Sequence, residues 1–389
     1  MPKYDVIVAG SGPAGATTAH RLAKAGLSVL ILEKDKLPRY KPCGGGISLK
    51  IDRILDIDIK EFIEATVRGA YFSYGQKEGT HLMSEQPVAY MVMRDKLDAH
   101  LTYEAVKAGA TLLTEKKVEG ITTAKNGYEV FTKNDVFSCR YVVGADGVNG
   151  AARRFMYPNT VRTMAASIEA EIAVDQSVLD KHSNYVHIDF GVIPYGYAWV
   201  FPKKKMLSVG IAGFRGVVKR PKEFFDKFIK GHDTLSGISE FTYKGYPLPL
   251  FRNQQVLTKS GVILTGDAGN LVDPFFGEGI YYAIRSAQLA SSVICDSIRN
   301  GSNDLSRYDK LLSSEFYPEF RAAQKVSLFV YACPRVWYDI MTERTELAEK
   351  YFNVLRGNNS YEIFLKELKS IGGSLVKTAI KKSIVRLFS

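Results

Sequence analysis

The chain lacks the residue patterns of a metalloprotein, a disulfide-stapled domain and a membrane-spanning protein. Its four cysteines, Cys43, Cys139, Cys295 and Cys333, are scattered, as are its six histidines, and they form no CxxC pair and no metal-ligand spacing. No metal is expected. Neither is a disulfide framework, and a reducing, cytoplasmic compartment fits the cysteine usage. No stretch approaches the ~18 uninterrupted apolar residues of a spanning helix. The first strand starts at Tyr4, so no signal or transit peptide is expected ahead of it. Internal repeats and low-complexity segments do not occur.

Acid is also in short supply, with 41 Asp and Glu against 52 Lys and Arg, a net charge of +11. A nucleic-acid partner would need a basic patch interleaved with aromatics or a known binding module, and neither is present. The basic clusters are Lys203-Lys204-Lys205, Lys219-Arg220 and the run 374–389, which carries Lys377, Lys381, Lys382 and Arg386 and no acid. On a helix, Val376, Ala379, Ile380, Ile384 and Leu387 of that run share one side. Such a segment suits a peripheral contact with an anionic membrane surface, and equally a terminal helix docked on the core.

What the chain does have is glycine in two telling places. With 389 residues, 46% of them hydrophobic, it can bury two cores. Tyr4 to Ala9 (YDVIVA) reads as a buried strand, Ala14 to Ala25 as a helix closed by Gly26, and Ser28 to Leu32 as a second strand. Between the first strand and the helix stands Gly10-Ser11-Gly12-Pro13-Ala14-Gly15. Gly10 permits a tight turn, Gly12 lets backbone approach a pyrophosphate, and Gly15 allows close helix–strand packing. The helix N-terminus then offers free N–H groups and partial positive charge to phosphates. Glu33 ends the second strand 18 residues past Gly15, where a carboxylate accepts from ribose hydroxyls and disfavours a 2′-phosphate. The second glycine-rich stretch runs Gly266-Asp267-Ala268 and on through Asp273-Pro274-Phe275-Phe276-Gly277-Glu278-Gly279-Ile280. The two motifs read as two walls of one pocket for an extended dinucleotide.

The rest of the chain supports that organisation. Arg94 opens a helix through Ala108, ended at Gly109; Val118 falls in a β stretch, and Asn126-Gly127 signals a hairpin turn. Tyr141 onward reads as a buried strand delivering Gly144-Ala145-Asp146-Gly147. Alternating strands are expected at 166–172, 185–190, 197–201 and 207–212. From Leu305 the pattern is helical, and its aromatics (Phe316, Tyr317, Phe320, Phe329, Tyr331, Trp337, Tyr338) read as core packing.

These motifs together resemble the flavoprotein hydroxylase superfamily, which binds FAD. Three further stretches resemble its geranylgeranyl reductase family: Lys41-Pro42-Cys43-Gly44-Gly45-Gly46-Ile47, the YxWxFP-like Tyr197-Ala198-Trp199-Val200-Phe201-Pro202, and Pro274 to Ile280. The resemblance covers roughly residues 1–300. It implies a mixed α/β (α+β) protein with a discontinuous Rossmann-type FAD-binding domain at 1–70, 92–157 and 255–305. An antiparallel-sheet substrate domain would occupy 71–91 and 158–254, and a C-terminal helical region 306–389. Two positions depart from the hydroxylases, Asn270 where histidine is frequent and Gly150 where serine is; the first shifts weight toward a reductase.

Carried over, the resemblance assigns the phosphate loop (Gly10, Gly12, Pro13, Ala14, Gly15) with Glu33 and Lys34 to the adenosine half of FAD. It assigns Cys43, Gly44, Gly46 and Gly277 to the flavin end, Arg94 to the pyrophosphate region, and Asp146 and Gly147 to the cofactor site. Val118 would lie near the adenine and Asp267 at the ribityl or phosphate segment, while Gly279 and Ile280 would offer N–H groups to the isoalloxazine. A donor at that ring edge stabilises the anionic reduced flavin.

The implied reaction is hydrogenation of C=C bonds in a geranylgeranyl chain on a lipid, chlorophyll-type or quinone substrate. Tyr197, Trp199, Phe201, Phe275 and Phe276 are the candidate channel, and Cys43 the candidate proton donor or flavin-gating group, an ordinary thiol being mostly protonated at neutral pH. No second dinucleotide fingerprint occurs, so the external reductant is NADPH or NADH bound transiently, or a ferredoxin. The rival readings are a flavin monooxygenase or halogenase, whose WxWxIP-like motif differs at Tyr197 and Phe201, and a non-catalytic flavin- or lipid-binding protein.

Overall fold

Strands buried on both faces read as unbroken apolar runs, and Tyr4–Ala9 and Val29–Leu32 (VLIL) form the centre of such a layer. In the computed structural model, which describes residues 3–158, 164–214 and 218–370, they lie in an eight-stranded sheet. Its main path runs Thr258–Lys259, Val262–Leu264, Val136–Gly144, Tyr4–Ala9, Val29–Leu32, Thr111–Leu113. The four pairings from Val262–Leu264 to Thr111–Leu113 are parallel. The hairpin Gly120–Ala124 and Gly127–Phe131 extends Val136–Gly144 antiparallel. The helix Pro13–Lys24 packs against Ile280–Arg299 and Arg94–Lys107, so the phosphate loop at its start opens between the sheet and two neighbouring helices.

The second large sheet has seven strands, in the order Tyr243–Leu248, Ala165–Ala173, Met206–Gly213, Gly196–Pro202, Val186–Phe190, Gly69–Tyr74, Glu78–Met83. Successive residues of a strand point to opposite faces. Register therefore groups Ser167 with Ala212 and Tyr197, Glu169 with Gly210 and Trp199, and Glu171 with Ser208 and Phe201 on one face. The other face carries Ile168, Ala170, Ile172, Ala198, Val200, Val209 and Ile211 under Phe225 and Phe228 of the helix Pro221–Gly231. A small sheet of Gly46–Ser48, Ala89–Val92 and Ile63–Val67 joins the two larger ones.

The C-terminal region is helical: Ser306–Glu315, Tyr317–Ala332, Pro334–Glu343, Glu346–Leu355 and residues 361–370. Proline in the first turn opens two of these helices, where its missing N–H costs nothing. Of the aromatics expected to be core, all are buried except Phe329, which is partly so. The basic run 374–389 lies outside the described residues.

Several local expectations shift. Val118 sits in the loop before Gly120–Ala124, not in a strand. The hairpin turn residues are Lys125 and Asn126, with Gly127 already paired to Ala124. The first helix begins at Pro13 and ends at Lys24, one residue earlier at each end. The small sheet also takes Ala89–Val92 away from the seven-stranded sheet with which 71–91 was grouped.

Candidate active site

A cavity of about 930 Å³ draws its lining from both large sheets, the small sheet and the C-terminal helices. One arm follows the phosphate loop. Gly10 turns with φ +93°, and a Cβ there would lie 2.5 Å from the Ala145 carbonyl oxygen. Gly15 packs tighter still, a Cβ meeting Gly10 O at 1.9 Å. Gly12 is different: apart from an Arg39 nitrogen at 3.9 Å nothing lies near its Cβ position, and no side chain caps the helix it begins.

Charge in this arm is arranged around carboxylates. Glu33 accepts from the Ser11 backbone N–H at 2.9 Å and hydroxyl at 2.6 Å, and its partner Arg39 lies 3.3 Å away. Burial alone would raise its pKa, but Arg39 and Ser11 outweigh burial and hold it below the usual value. Arg39 also reaches Asp98 at 3.1 Å, and Arg94 binds Asp98 at 2.8 and 2.9 Å. Asp146 caps Ala152 N at 3.1 Å, while its buried Oδ1 has no hydrogen-bond partner among the described residues. Burial raises its pKa to about 6. A side chain at Gly150 would strike that carboxylate at 1.9 Å, which explains the glycine there.

Where the arms meet, Cys43 is half-buried, its Sγ accepting from Gly45 N at 3.4 Å, with the Arg94 guanidinium beside it. The Cys43–Gly46 loop is clamped by Lys203, whose buried ammonium donates to Gly44 O at 2.7 Å and Val92 O at 2.9 Å. Trp199 and Phe201 pack against Gly44, where a Cβ would lie 2.9 Å from the Phe201 ring. Opposite, Gly279 caps the helix Ile280–Arg299 with no side-chain cap, leaving first-turn N–H groups facing the cavity. Glu278 braces this loop against Ser48 N at 3.1 Å and Lys50 at 3.0 Å. Beyond the aromatics the second arm is apolar, lined by Val67, Phe72, Val88, Ile188, Phe352 and Leu355.

The comparisons with known proteins agree with this geometry. The FAD binding domain family matches residues 3–310. A digeranylgeranylglycerophospholipid reductase of Thermoplasma acidophilum is 32% identical over 81% of this chain and 85% of its own. The chain belongs to the geranylgeranyl reductase family of FAD-dependent oxidoreductases. A geranylgeranyl diphosphate reductase of Rhodobacter capsulatus is 31% identical over 77% of each chain. The crystal structure of a geranylgeranyl bacteriochlorophyll reductase-like protein from Thermoplasma acidophilum superposes with a TM-score of 0.76 at 26% identity, over 94% of this chain and 98% of that one. The halogenase PltM shares the fold, with a TM-score of 0.70 at 17% identity over 97% of this chain and 95% of its own.

The cofactor of this reductase family member is FAD, and the residues fit it. Gly12 leaves room for a pyrophosphate, two helix N-termini lack side-chain caps, and the paired Glu33 carboxylate stands at the end of the second strand. Of the expected site residues, Gly10, Gly12, Pro13, Ala14, Glu33, Lys34, Cys43, Gly44, Gly46, Arg94 and Val118 line the cavity. So do Asp146, Gly147, Tyr197, Trp199, Phe201, Asp267, Phe276, Gly277, Gly279 and Ile280. Two do not. Gly15 faces the Gly10 backbone, and Phe275 is fully buried behind Phe276, among Tyr331, Trp337, Tyr351 and Tyr361. Phe275 is held there because its N–H donates to Asp273 and its carbonyl accepts from Tyr331, each at 2.5 Å.

Tyr40, Lys41, Glu169 and Tyr246 also line the cavity and were not expected. Lys41 Nζ lies 3.3 Å from the centre of the Tyr246 ring, whose hydroxyl donates to Asp267 at 3.3 Å. Glu169 had a legible signal: two carboxylates two residues apart on a mostly apolar strand, facing one way.

Proposed function

We propose that this reductase hydrogenates C=C bonds of a geranylgeranyl chain carried on a lipid headgroup. The observation that carries the reading is the two-armed cavity, glycine-rich and charged along one arm and aliphatic along the other, with Cys43, Trp199 and Phe201 at the junction. In this reading residues 1–70, 92–157 and 255–305 hold the cofactor and 71–91 with 158–254 the substrate. Gly12, Ala14 and Glu33 bind the adenosine and pyrophosphate, Asp267 the ribityl segment, and Gly279 and Ile280 the flavin edge. Bound FAD, once reduced, supplies a hydride. Reduction of the alkene would also need a proton at the second carbon, and in this reading the Cys43 thiol, half-buried in the cavity lining, is its donor. Trp199, Phe201 and Phe276 hold the chain across the junction and keep water from it.

An anaerobic experiment tests this. The bound FAD is reduced with dithionite, a digeranylgeranyl glycerophospholipid or geranylgeranyl diphosphate is added, and flavin reoxidation and lipid mass are followed. Reoxidation with a gain of two hydrogens per double bond is expected. Reoxidation only after oxygen is admitted would point to an oxygenase or halogenase instead, and Cys43→Ala with full alkene turnover would remove the thiol from the mechanism.

A further inference from the structure

Each double bond reduced consumes a proton at a site walled by aromatic rings, so the donor must be recharged between turnovers. A polar cluster stands beside the Cys43–Gly46 loop, on the same sheet face as Tyr197, Trp199 and Phe201. Glu169 is its centre, only 2% exposed yet part of the cavity lining. Its carboxylate accepts from the Tyr40 hydroxyl and from Ser208 Oγ at 3.0 Å, and the backbone N–H of Cys43 is close enough to favour its charged form. Tyr40 and Lys203 both lie within electrostatic reach of the Cys43 thiol. Glu171, two residues along the same face, is half-buried and stands opposite Ser208 in register. The strand thus carries two carboxyls in line, one at the cavity and one toward solvent.

We propose that Glu169 recharges the Cys43 thiol after each reduction, drawing protons from solvent through Glu171. This rests on the reading that Cys43 protonates the alkene. The step balances: hydride from reduced FAD and the thiol proton convert C=C to CH–CH, leaving oxidised FAD and a thiolate. The thiolate then takes the Glu169 proton, and water restores Glu169 by way of Glu171. The surroundings suit the task. Burial raises the Glu169 pKa despite the Tyr40 and Ser208 hydrogen bonds, and burial together with neighbouring Glu169 and Asp95 lifts Glu171 to about 7. The other charged groups facing the pair are Lys203, itself lowered to about 8 by burial, Glu64 with its partner Lys96, and Lys244, which stands opposite Glu169 on the edge strand.

The test uses FAD-loaded protein, excess dithionite and a geranylgeranyl lipid, comparing wild type with Glu169→Gln, Glu169→Asp and Glu171→Gln. Glu169→Gln should reduce its first double bond at the wild-type rate, then slow about tenfold or more and accumulate the product with two added hydrogens. Glu169→Asp should recover much of the later turnover. Wild-type turnover should fall as pH rises through about 7, where Glu171 loses its proton, and Glu171→Gln should slow turnover and remove that inflection. A Glu169→Gln enzyme that is normal at every turnover overturns the proposal, and so does one slowed equally from the first turnover with FAD retained. Should that variant lose FAD, Glu171→Gln decides alone, and a wild-type pH profile there sinks the idea. Failure of the wild-type protein to reduce any prenyl lipid is a separate outcome, because it overturns the functional reading itself.

Discussion

The two faces of the seven-stranded sheet are made by the same strands and do opposite things. Along Ala165–Ala173, Ser167, Glu169 and Glu171 face the cavity side, while Ile168, Ala170 and Ile172 face the helix Pro221–Gly231. Along Gly196–Pro202, Tyr197, Trp199 and Phe201 line the cavity, and Ala198 and Val200 are packed away. The covered face is close-packed around Phe225 and Phe228, both fully buried. At one end it closes over a hydrogen-bonded chain: Ser73 meets His187 at 2.7 Å, His187 meets His232 at 3.0 Å, and Thr234 joins His232 to His182 at 3.1 Å on each side. The difference teaches that polar groups on the covered face serve stability, whereas those on the open face are free to serve chemistry.

Three perturbations sharpen that contrast. The largest effect belongs to the covered face, where Phe228→Ala removes a fully buried ring and should cost about 3–5 kcal/mol. Chemical denaturation measures it, and the fraction that folds should still bind FAD; loss of FAD at unchanged stability would break the division between faces.

Acid should act on the same side. Burial lowers His182 and His232 from 6.5 to about 4 and His187 further, so the folded state binds fewer protons than the unfolded one. Their contribution is complete above pH 6.5 and is lost as pH falls toward 4, roughly 3 kcal/mol for each of His182 and His232. Asp146, Asp189 and Asp273, raised by burial to about 6, and Glu171, raised to about 7, work in the opposite sense over much of that window. The histidines are therefore read by difference: from pH 7 through 5 to 4 the melting temperature of His182→Gln should fall less, or rise more, than that of the wild type; identical slopes for the two proteins would contradict the assignment.

The smallest effect on stability lies on the open face. A Cβ at Gly210 would stand 2.2 Å from the Trp199 ring, so Gly210→Ala should push the indole into the cavity. The overpacking costs about 1–3 kcal/mol, and prenyl turnover should drop while FAD stays bound. Unchanged turnover would show that the position of Trp199 does not matter to the reaction.

Much of this was legible in local sequence. The strand–glycine loop–helix unit and the alternating strands follow from short-range periodicity and turn chemistry, so their places shift by only a residue or so. Val118 was misplaced because a β-branched residue beside a hairpin has the composition of a strand without the pairing of one. Phe275 and Phe276 look alike in sequence, yet Asp273 and Tyr331 fix the backbone so that one ring enters the core and its neighbour the cavity. Gly15 shares a motif with Gly12, but its missing side chain accommodates backbone rather than ligand.

The phosphate loop, the carboxylate at Glu33, the cysteine–glycine loop and the aromatic strand are legible from the chain alone, because each is a contiguous pattern whose chemistry lies within a few residues. That Tyr40 meets Glu169 and that Lys203 clamps the Cys43–Gly46 loop is a tertiary matter, since residues so far apart in the chain meet through strand register and loop packing. The tertiary structure also decided which face of the sheet stays open. Alternation says that a strand has two sides, and only the packing of the helix Pro221–Gly231 says which of them is covered.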